Sequence, residues 1–244
     1  MKTVLITGAN RGIGRSMVEA FAYASYDIWA CSRVERPSFL EDMADLSKRS
    51  GSLITPLFFD VCKEEEIKKA VKKVLAEKKG IDVLINNAGV AHNGLINMTS
   101  ASKMREIFEC NFFAPFMLMQ LVSRKMMKQK HGCIINMCSV GGIEANPGYA
   151  AYGSSKAALI WLTRCAAKEL AEYNIRVNGI APGLIDTDMG HYKSDEELNN
   201  VYKRMTIRRM GRPEEIARAA VFLASEENSF INGQILIVDG GRCI

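Results

Sequence analysis

The chain has 244 residues, 48% of them hydrophobic and 24% charged, with a formal net charge of +5. That length can bury one large α/β core, and no shift of composition marks off a second domain. Lysines and arginines are interspersed with acids, in small groups such as Lys68-Lys69 and Arg208-Arg209 rather than a stripe, which argues against a nucleic-acid surface.

Residues 3–7 form a short apolar β-type run ending in Gly8-Ala9-Asn10-Arg11-Gly12-Ile13-Gly14, after which Met17, Val18, Phe21 and Ala22 recur at helical spacing. A strand, a glycine turn and a helix present backbone N–H groups and a helix N-terminus to a diphosphate. The second strand, residues 28–31, ends in Ser32-Arg33. A site for NAD usually carries an acid at this strand end, bonded to the ribose 2′-hydroxyl. Ser32 stands there instead, with Arg33 beside it and Arg11 in the glycine turn, and two guanidiniums without a carboxylate suit a 2′-phosphate. The expected cofactor is therefore NADP(H).

A charged helix follows over residues 37–50, then a strand over 53–59 leading into Asp60-Val61. Residues 63–78 have Ile67, Ala70, Val71, Val74 and Leu75 on one helical face. The fourth strand, 81–85, ends in Asn86-Asn87-Ala88-Gly89 at the carboxyl edge, where open α/β sheets bind ligands. Asn86 and Asn87 suit a structural turn as well as a ligand contact. Residues 102–130 read as one long helical stretch, with Asn111 in apolar company and a kink near Pro115; a buried Asn there must be hydrogen-bonded.

The fifth strand, 132–138, runs into Ser139 and a glycine-containing turn, and a helix then continues to about residue 172. Tyr152 and Lys156, four apart, share one face of that helix, which makes the phenol a candidate acid with a lowered pKa. The sixth strand, 175–180, is followed by Ala181-Pro182-Gly183-Leu184-Ile185-Asp186-Thr187. Residues 190–211 are long, polar and only modestly helical (195–205), as expected of a substrate loop or lid. A helix begins at Pro213 with acids in its first turn, and the seventh strand, 234–238, closes on Asp239-Gly240-Gly241.

Strands alternating with helices predict one Rossmann-fold domain over 1–244, a seven-stranded parallel sheet with helices on both faces. The seven cysteines form no CxxC pair and no ligand cluster with His92, His131 or His191, so no metal is expected and free thiols in a reducing cytoplasm are. The first strand starts at residue 2, which leaves no room for a signal peptide, and the most apolar stretch, 112–122, is too short for a membrane span.

Taken together, Thr7-Gly8-Ala9-Asn10-Arg11-Gly12-Ile13-Gly14, Asn86-Asn87-Ala88-Gly89, Asn111, Ser139, Tyr152-Gly153-Ser154-Ser155-Lys156 and Pro182-Gly183 resemble the short-chain dehydrogenase/reductase signature, in order and across essentially the whole chain. Within that family the chain is most similar to the β-ketoacyl-acyl carrier protein reductases, by Arg212-Pro213-Glu214-Glu215-Ile216-Ala217, Phe222-Leu223-Ala224-Ser225 and residues 233–241. These tail motifs also occur in sugar, polyol and cyclic-ketone reductases. The resemblance implies NADPH-dependent reduction of a ketone, foremost a β-ketoacyl thioester of fatty acid biosynthesis. Tyr152 would be general acid, Lys156 would lower its pKa and hold the nicotinamide ribose, Ser139 would orient the carbonyl, and Asn111 would support a water relay. Gly8, Asn10, Arg11, Gly12, Ile13, Gly14, Ser32, Arg33, Asn87, Ala88, Gly89, Tyr152, Lys156, Pro182, Gly183 and Ile185 would contact the cofactor, with Asp60 and Val61 at the adenine and Thr187 at the carboxamide.

The same resemblance implies a homotetramer (or dimer), packed through the two long helices and the last strand, with Phe112, Phe113, Phe116, Met117 and Trp161 at hand. An acyl carrier protein would meet Lys125, Lys128 and Lys130; Tyr173 stands where another basic residue is expected. The competing readings are a reductase of another small ketone, sugar or polyol, and a non-catalytic NADP-binding sensor or scaffold. A sensor would need the glycine turn but not Ser139, Tyr152 and Lys156.

Overall fold

In the computed structural model, which describes residues 1–77, 80–190 and 195–243, seven strands form one parallel sheet in the order β3-β2-β1-β4-β5-β6-β7. They are β1 (Lys2–Thr7), β2 (Tyr26–Ser32), β3 (Ile54–Phe58), β4 (Val83–Asn86), β5 (Gly132–Met137), β6 (Ile175–Pro182) and β7 (Ile235–Val238). The helices are α1 (Gly12–Tyr23), α2 (Pro37–Ser50), α3 (Glu64–Ala76), α4 (Ala101–Phe108), α5 (Ala114–Gln129), α6 (Ala150–Leu170), α7 (Asp195–Lys203) and α8 (Pro213–Ala224).

The sheet is covered on both faces, so its central strands are buried at nearly every position rather than at every second one. Val4, Ile6, Ile28, Ala30, Val83 and Ile85 meet Met17, Phe21, Met43, Leu46, Ile216 and Leu223 of α1, α2 and α8. The alternate residues Leu5, Trp29, Leu84, Ile134 and Val177 meet Ile67, Val71 and Val74 of α3 and Leu118, Val122 and Met126 of α5. None of the described helices is long and apolar enough to cross a membrane.

The helix expected over 102–130 is interrupted. Between α4 and α5 lies one π-turn, Glu109–Phe113, which inserts an extra residue and turns Asn111 into the core. The expected kink at Pro115 sits instead in the first turn of α5, where proline costs no hydrogen bond. The expected end of the third helix at residue 78 and residues 191–194 of the loop fall outside the described residues.

A buried polar chain runs beneath the carboxyl edge. Asn86 Nδ2 donates to Asn136 Oδ1 at 2.8 Å, Asn136 Nδ2 donates to Thr163 Oγ1 at 2.9 Å, and Thr163 Oγ1 donates to the Leu159 carbonyl at 2.7 Å. It ties β4, β5 and α6 together directly below the site. Asn136→Ala strands the Asn86 amide, which then bears a desolvation cost of ~1–3 kcal/mol, and leaves the Thr163 hydroxyl with its bond to Leu159 alone. The urea midpoint should fall at constant m-value; an unmoved midpoint would show that the chain contributes nothing.

Candidate active site

Sheet order decides where a ligand can lie. From β1 the connections run to β2 and β3 on one side; from β4 they run to β5, β6 and β7 on the other. The crevice that opens at the carboxyl ends of β1 and β4 is the switch point of a doubly wound sheet.

The glycine turn and the segment after β4 meet in that crevice. Asn87 Nδ2 donates to the carbonyls of Thr7 and Gly8 at 2.9 and 3.2 Å, while the N–H groups of Asn87 and Ala88 donate to Thr7 Oγ1, both at 3.0 Å. Asn87 and Ala88 therefore clamp the turn, and of the two roles open to Asn87 the structural one is filled. Gly14 is required here: a Cβ on it would sit 2.6 Å from Asn87 Nδ2 and inside contact with the Gly8 carbonyl. Gly8 and Gly12 take positive φ, as the tight turn demands. Arg11 at the N-cap of α1 supplies no side-chain acceptor and the first turn holds no acid, so the N–H groups there are left for an anion. Asn10 and Ile13 are half-buried in the same turn.

Around this turn stand the other expected cofactor contacts. Ser32 is the last residue of β2, buried, its hydroxyl donating to the Val34 carbonyl at 3.2 Å, and Arg33 is exposed beside it. Arg11 forms an ion pair of 2.8 Å with Asp188, both side chains largely exposed; such a pair is worth ~0–1 kcal/mol and yields readily to a phosphate. Asp60 accepts the Cys62 N–H at 2.9 Å in the turn after β3, with Val61 half-buried next to it. Pro182 ends β6, Gly183 N–H donates to the Val238 carbonyl, and Ile185 pairs with Gly211. Thr187 faces Gly12, its Cγ2 3.1 Å from where a side chain on that glycine would begin.

Ser139, Tyr152 and Lys156 come from the end of β5 and the start of α6. Gly142 lets the turn after Ser139 lie against α6, since a Cβ there would be 2.7 Å from the Ala157 nitrogen. Ser139 Oγ accepts the Gly141 N–H at 3.1 Å. Lys156 is buried and donates to the Met137 carbonyl at 2.7 Å. Asn111 binds Val90 in both senses, accepting its N–H and donating to its carbonyl, each at 2.9 Å, and also donates to Ser155 Oγ at 3.1 Å. Ser155 in turn donates to the Tyr152 carbonyl at 2.7 Å. Asn111 thus links the β4 segment to α6, and its partners are Val90 and Ser155 rather than a kink at Pro115. Gly89 lies over this corner, its would-be side chain 3.2 Å from Asn111 Oδ1 and 3.5 Å from Lys156 Nζ.

The electrostatics depart from the expectation. Burial pushes the Tyr152 hydroxyl up to about 12, and the group that opposes it is Ser139, by hydrogen bonding. The same burial lowers the pKa of Lys156. Ser139 is the group that lowers Tyr152, against the burial that raises it, while the Lys156 ammonium donates to the Met137 carbonyl. What the arrangement offers is a protonated phenol, a hydroxyl in contact with it, and a buried amine one helical turn away.

Three contributors lay outside the sequence reading. Ser155 shows only as the residue three after Tyr152. Tyr149, one turn before Tyr152, stacks edge-on against it at 5.8 Å and 83°. Beyond Tyr149 lies a cavity of about 210 Å³ lined by Asn146, Asn200, Arg204 and Arg242, residues distant in sequence and carrying no motif. Among the described residues no three His, Cys, Asp or Glu side chains gather as a metal site would.

With this geometry in view, likeness to known proteins is informative. A family model described as enoyl-(acyl carrier protein) reductase matches residues 8–242. The 3-oxoacyl-[acyl-carrier-protein] reductase FabG of Chlamydia muridarum (strain MoPn / Nigg) is 38% identical over 242 residues, which cover 98% of this chain and 96% of that protein. A solved gluconate 5-dehydrogenase from Burkholderia cenocepacia J2315, in complex with NADP and tartrate, has a TM-score of 0.92 at 32% identity, over 99% of this chain and 94% of that one. A 7α-hydroxysteroid dehydrogenase complexed with NADH and 7-oxo glycochenodeoxycholic acid has the same TM-score at 34% identity, over 98% and 93%. Full-length likeness in sequence, joined to a shared fold, establishes that the chain belongs to the short-chain dehydrogenase/reductase family.

Proposed function

We propose that this chain reduces a ketone to a secondary alcohol with NADPH, foremost a β-ketoacyl thioester. The observation that carries the reading is the meeting of Ser139, Tyr152 and Lys156 beside the clamped glycine turn. The turn fits a dinucleotide: N–H groups without side-chain caps for the diphosphate, Asp60 and Val61 for the adenine, Thr187 for the carboxamide. When bound, the reduced nicotinamide supplies a hydride to the carbonyl carbon. Ser139 holds the carbonyl oxygen, and Tyr152 delivers its proton to that oxygen as the C=O π bond opens. A phenol whose pKa stands near 12 keeps its proton at neutral pH, as an acid must before it acts. Lys156 brings positive charge to the phenolate left behind, and Asn111 fixes the backbone on both sides of it.

Arg33 and Arg11 favour NADPH over NADH, since planar donors match a 2′-phosphate and the exposed Asp188 partner is weakly held. Residues 190–211 act as the substrate loop. Its two feet are joined, Ile185 to Gly211, and Glu215 grips Arg209 and the Arg212 N–H so firmly that its carboxyl falls to about 2. An acyl carrier protein is the macromolecular partner, met by Lys125 and Lys128. Lys130 sits over the Tyr173 ring at 5.5 Å, so that aromatic residue holds a cation in place instead of supplying one. All seven thiols are free, as befits a cytoplasmic enzyme. Trp161, 67% exposed, with Phe113 and Phe116 on the helices, and Phe222, Phe230 and Ile237 around β7, give two apolar faces that four copies would cover.

Tyr152→Phe should cut turnover of an acetoacetyl thioester by about 10²–10⁴-fold while NADPH binding, followed by its fluorescence, stays nearly intact; retained turnover removes the acid. In the same assay run as alcohol oxidation, where the phenol must first lose its proton, Ser139→Ala takes away the group that lowers Tyr152, so the acidic limb of the pH profile should move to higher pH. Arg33→Ala should lower kcat/KM for NADPH by about tenfold or more, the loss of a charge-assisted bond of ~1.5–3 kcal/mol, and leave NADH little changed. Equal wild-type rates with both cofactors would end the case for NADPH. Light scattering should give about four chains of 27.1 kDa, and Trp161→Glu should reduce that number; a monomeric wild type would refute the assembly.

A further inference from the structure

The cavity beyond Tyr149 sets two arginines and three asparagines beside Pro147, Tyr149 and Val201, where an acyl-chain pocket would carry no cation. The C-terminal tail contributes Arg242 to its lining. Asp239 accepts the N–H groups of Gly241 and Cys243 at 2.9 and 2.8 Å, and Thr206 of the loop donates to the Gly240 carbonyl at 3.2 Å. This turn delivers the Arg242 side chain, 91% buried, to the cavity wall. There its Nη2 donates to Asn146 Oδ1 at 3.3 Å. Its Nε lies 3.4 Å from Glu144 Oε2 but makes no hydrogen bond at all. Arg204, from the end of α7, pairs with the other oxygen of Glu144.

Two guanidiniums therefore share one carboxylate. Each carries five N–H donors, and Glu144 engages few of them. Asp239 has both its oxygens bonded to backbone N–H groups of the tail. A buried guanidinium with an unspent donor calls for a further acceptor. Asn93 and Asn200 offer amides to the same space.

We propose that Arg242, with Arg204 and Asn146, binds an anionic oxygen group, a carboxylate or a phosphate, on the substrate at a distance from its reacting carbonyl. The proposal rests on Tyr152 marking the reacting end, as read above. Glu144 is the internal competitor: it holds the arginines in position and lowers their affinity for an outside anion. The substrate class is thus a ketone with an acidic tail. The tail could be a free carboxylate on a short keto acid or the phosphates of a thioester's carrier arm.

The test compares kcat/KM with NADPH for two pairs, 5-oxohexanoate against its methyl ester, and acetoacetyl-coenzyme A against acetoacetyl-N-acetylcysteamine, which has no phosphate. Arg242→Met should reduce the anionic-over-neutral ratio of one pair about tenfold, and Glu144→Gln should raise the same ratio. A merely structural role would not give opposite signs. The pair that moves identifies the source of the anion, and ratios equal in all three proteins overturn the proposal. If the wild type oxidises NADPH with none of the four compounds, the reductase reading fails. Calorimetric titration with 5-oxohexanoate and with coenzyme A then decides the subsite alone: equal affinities in wild type and Arg242→Met overturn it.

Discussion

The site depends on a topological constraint, the reversal of winding between β1 and β4. With every strand parallel and both faces buried, the middle of the sheet has no exposed surface on which chemistry could be placed. Only the strand ends are available, and only between β1 and β4 do the departing connections diverge enough to leave a crevice. The glycine turn enters it from one side and the residue run 86–89 from the other. Asn87 sews the two together because neither could satisfy its own backbone there: the Thr7 and Gly8 carbonyls have no strand partner beyond the split and take an amide instead.

The phenol and amine of α6 illustrate how burial and charge trade against each other. Taking an ammonium out of water is costly, and the Met137 carbonyl at 2.7 Å is its compensation. That bond fixes Lys156 against β5, the strand that leads to Ser139, so the amine and the hydroxyl are positioned by the same few residues. Burial also keeps Tyr152 protonated. A phenol protonated at rest and an amine held one turn away suit an acid that acts only when negative charge begins to form on a neighbouring oxygen. Ser139, by its hydrogen bond, opposes the burial that raises the phenol's pKa.

Much of this was legible in the order of residues. Alternating apolar runs and helical periods dictated the sheet, and the helix over residues 37–50 has the bounds expected of it, because Pro37 can begin a helix and Gly51 ends one at φ +73°. The glycine turn stood out by its place between a strand and a helix, whereas Tyr152 and Lys156, whose spacing is common on solvated helix faces, gained meaning only from the rest of the chain. The π-turn at Asn111 did not, since nothing in the local periodicity of residues 102–130 announces one extra residue; Asn111 is drawn inward by Val90 and Ser155, partners 21 and 44 positions away. Spacing also suggested a lowered pKa for Tyr152, whereas burial, which spacing does not report, raises it.

The polar cavity was invisible for a stronger reason. Glu144, Arg204 and Arg242 come from the segment after β5, from the turn that follows α7 and from the tail, and the Ile185–Gly211 bridge and the Asp239 turn help to bring them to one place. These same contacts connect the loop's position to the charge of the cavity. Arg204 belongs to the loop and Arg242 to the tail, while Glu144 lies between Ser139 and Tyr152 in the chain. An anion that draws Arg204 away from Glu144 also releases a contact between the loop and the segment that carries the reacting groups. A single carboxylate shared by two arginines thus joins Arg204 and the tail to the stretch between Ser139 and Tyr152.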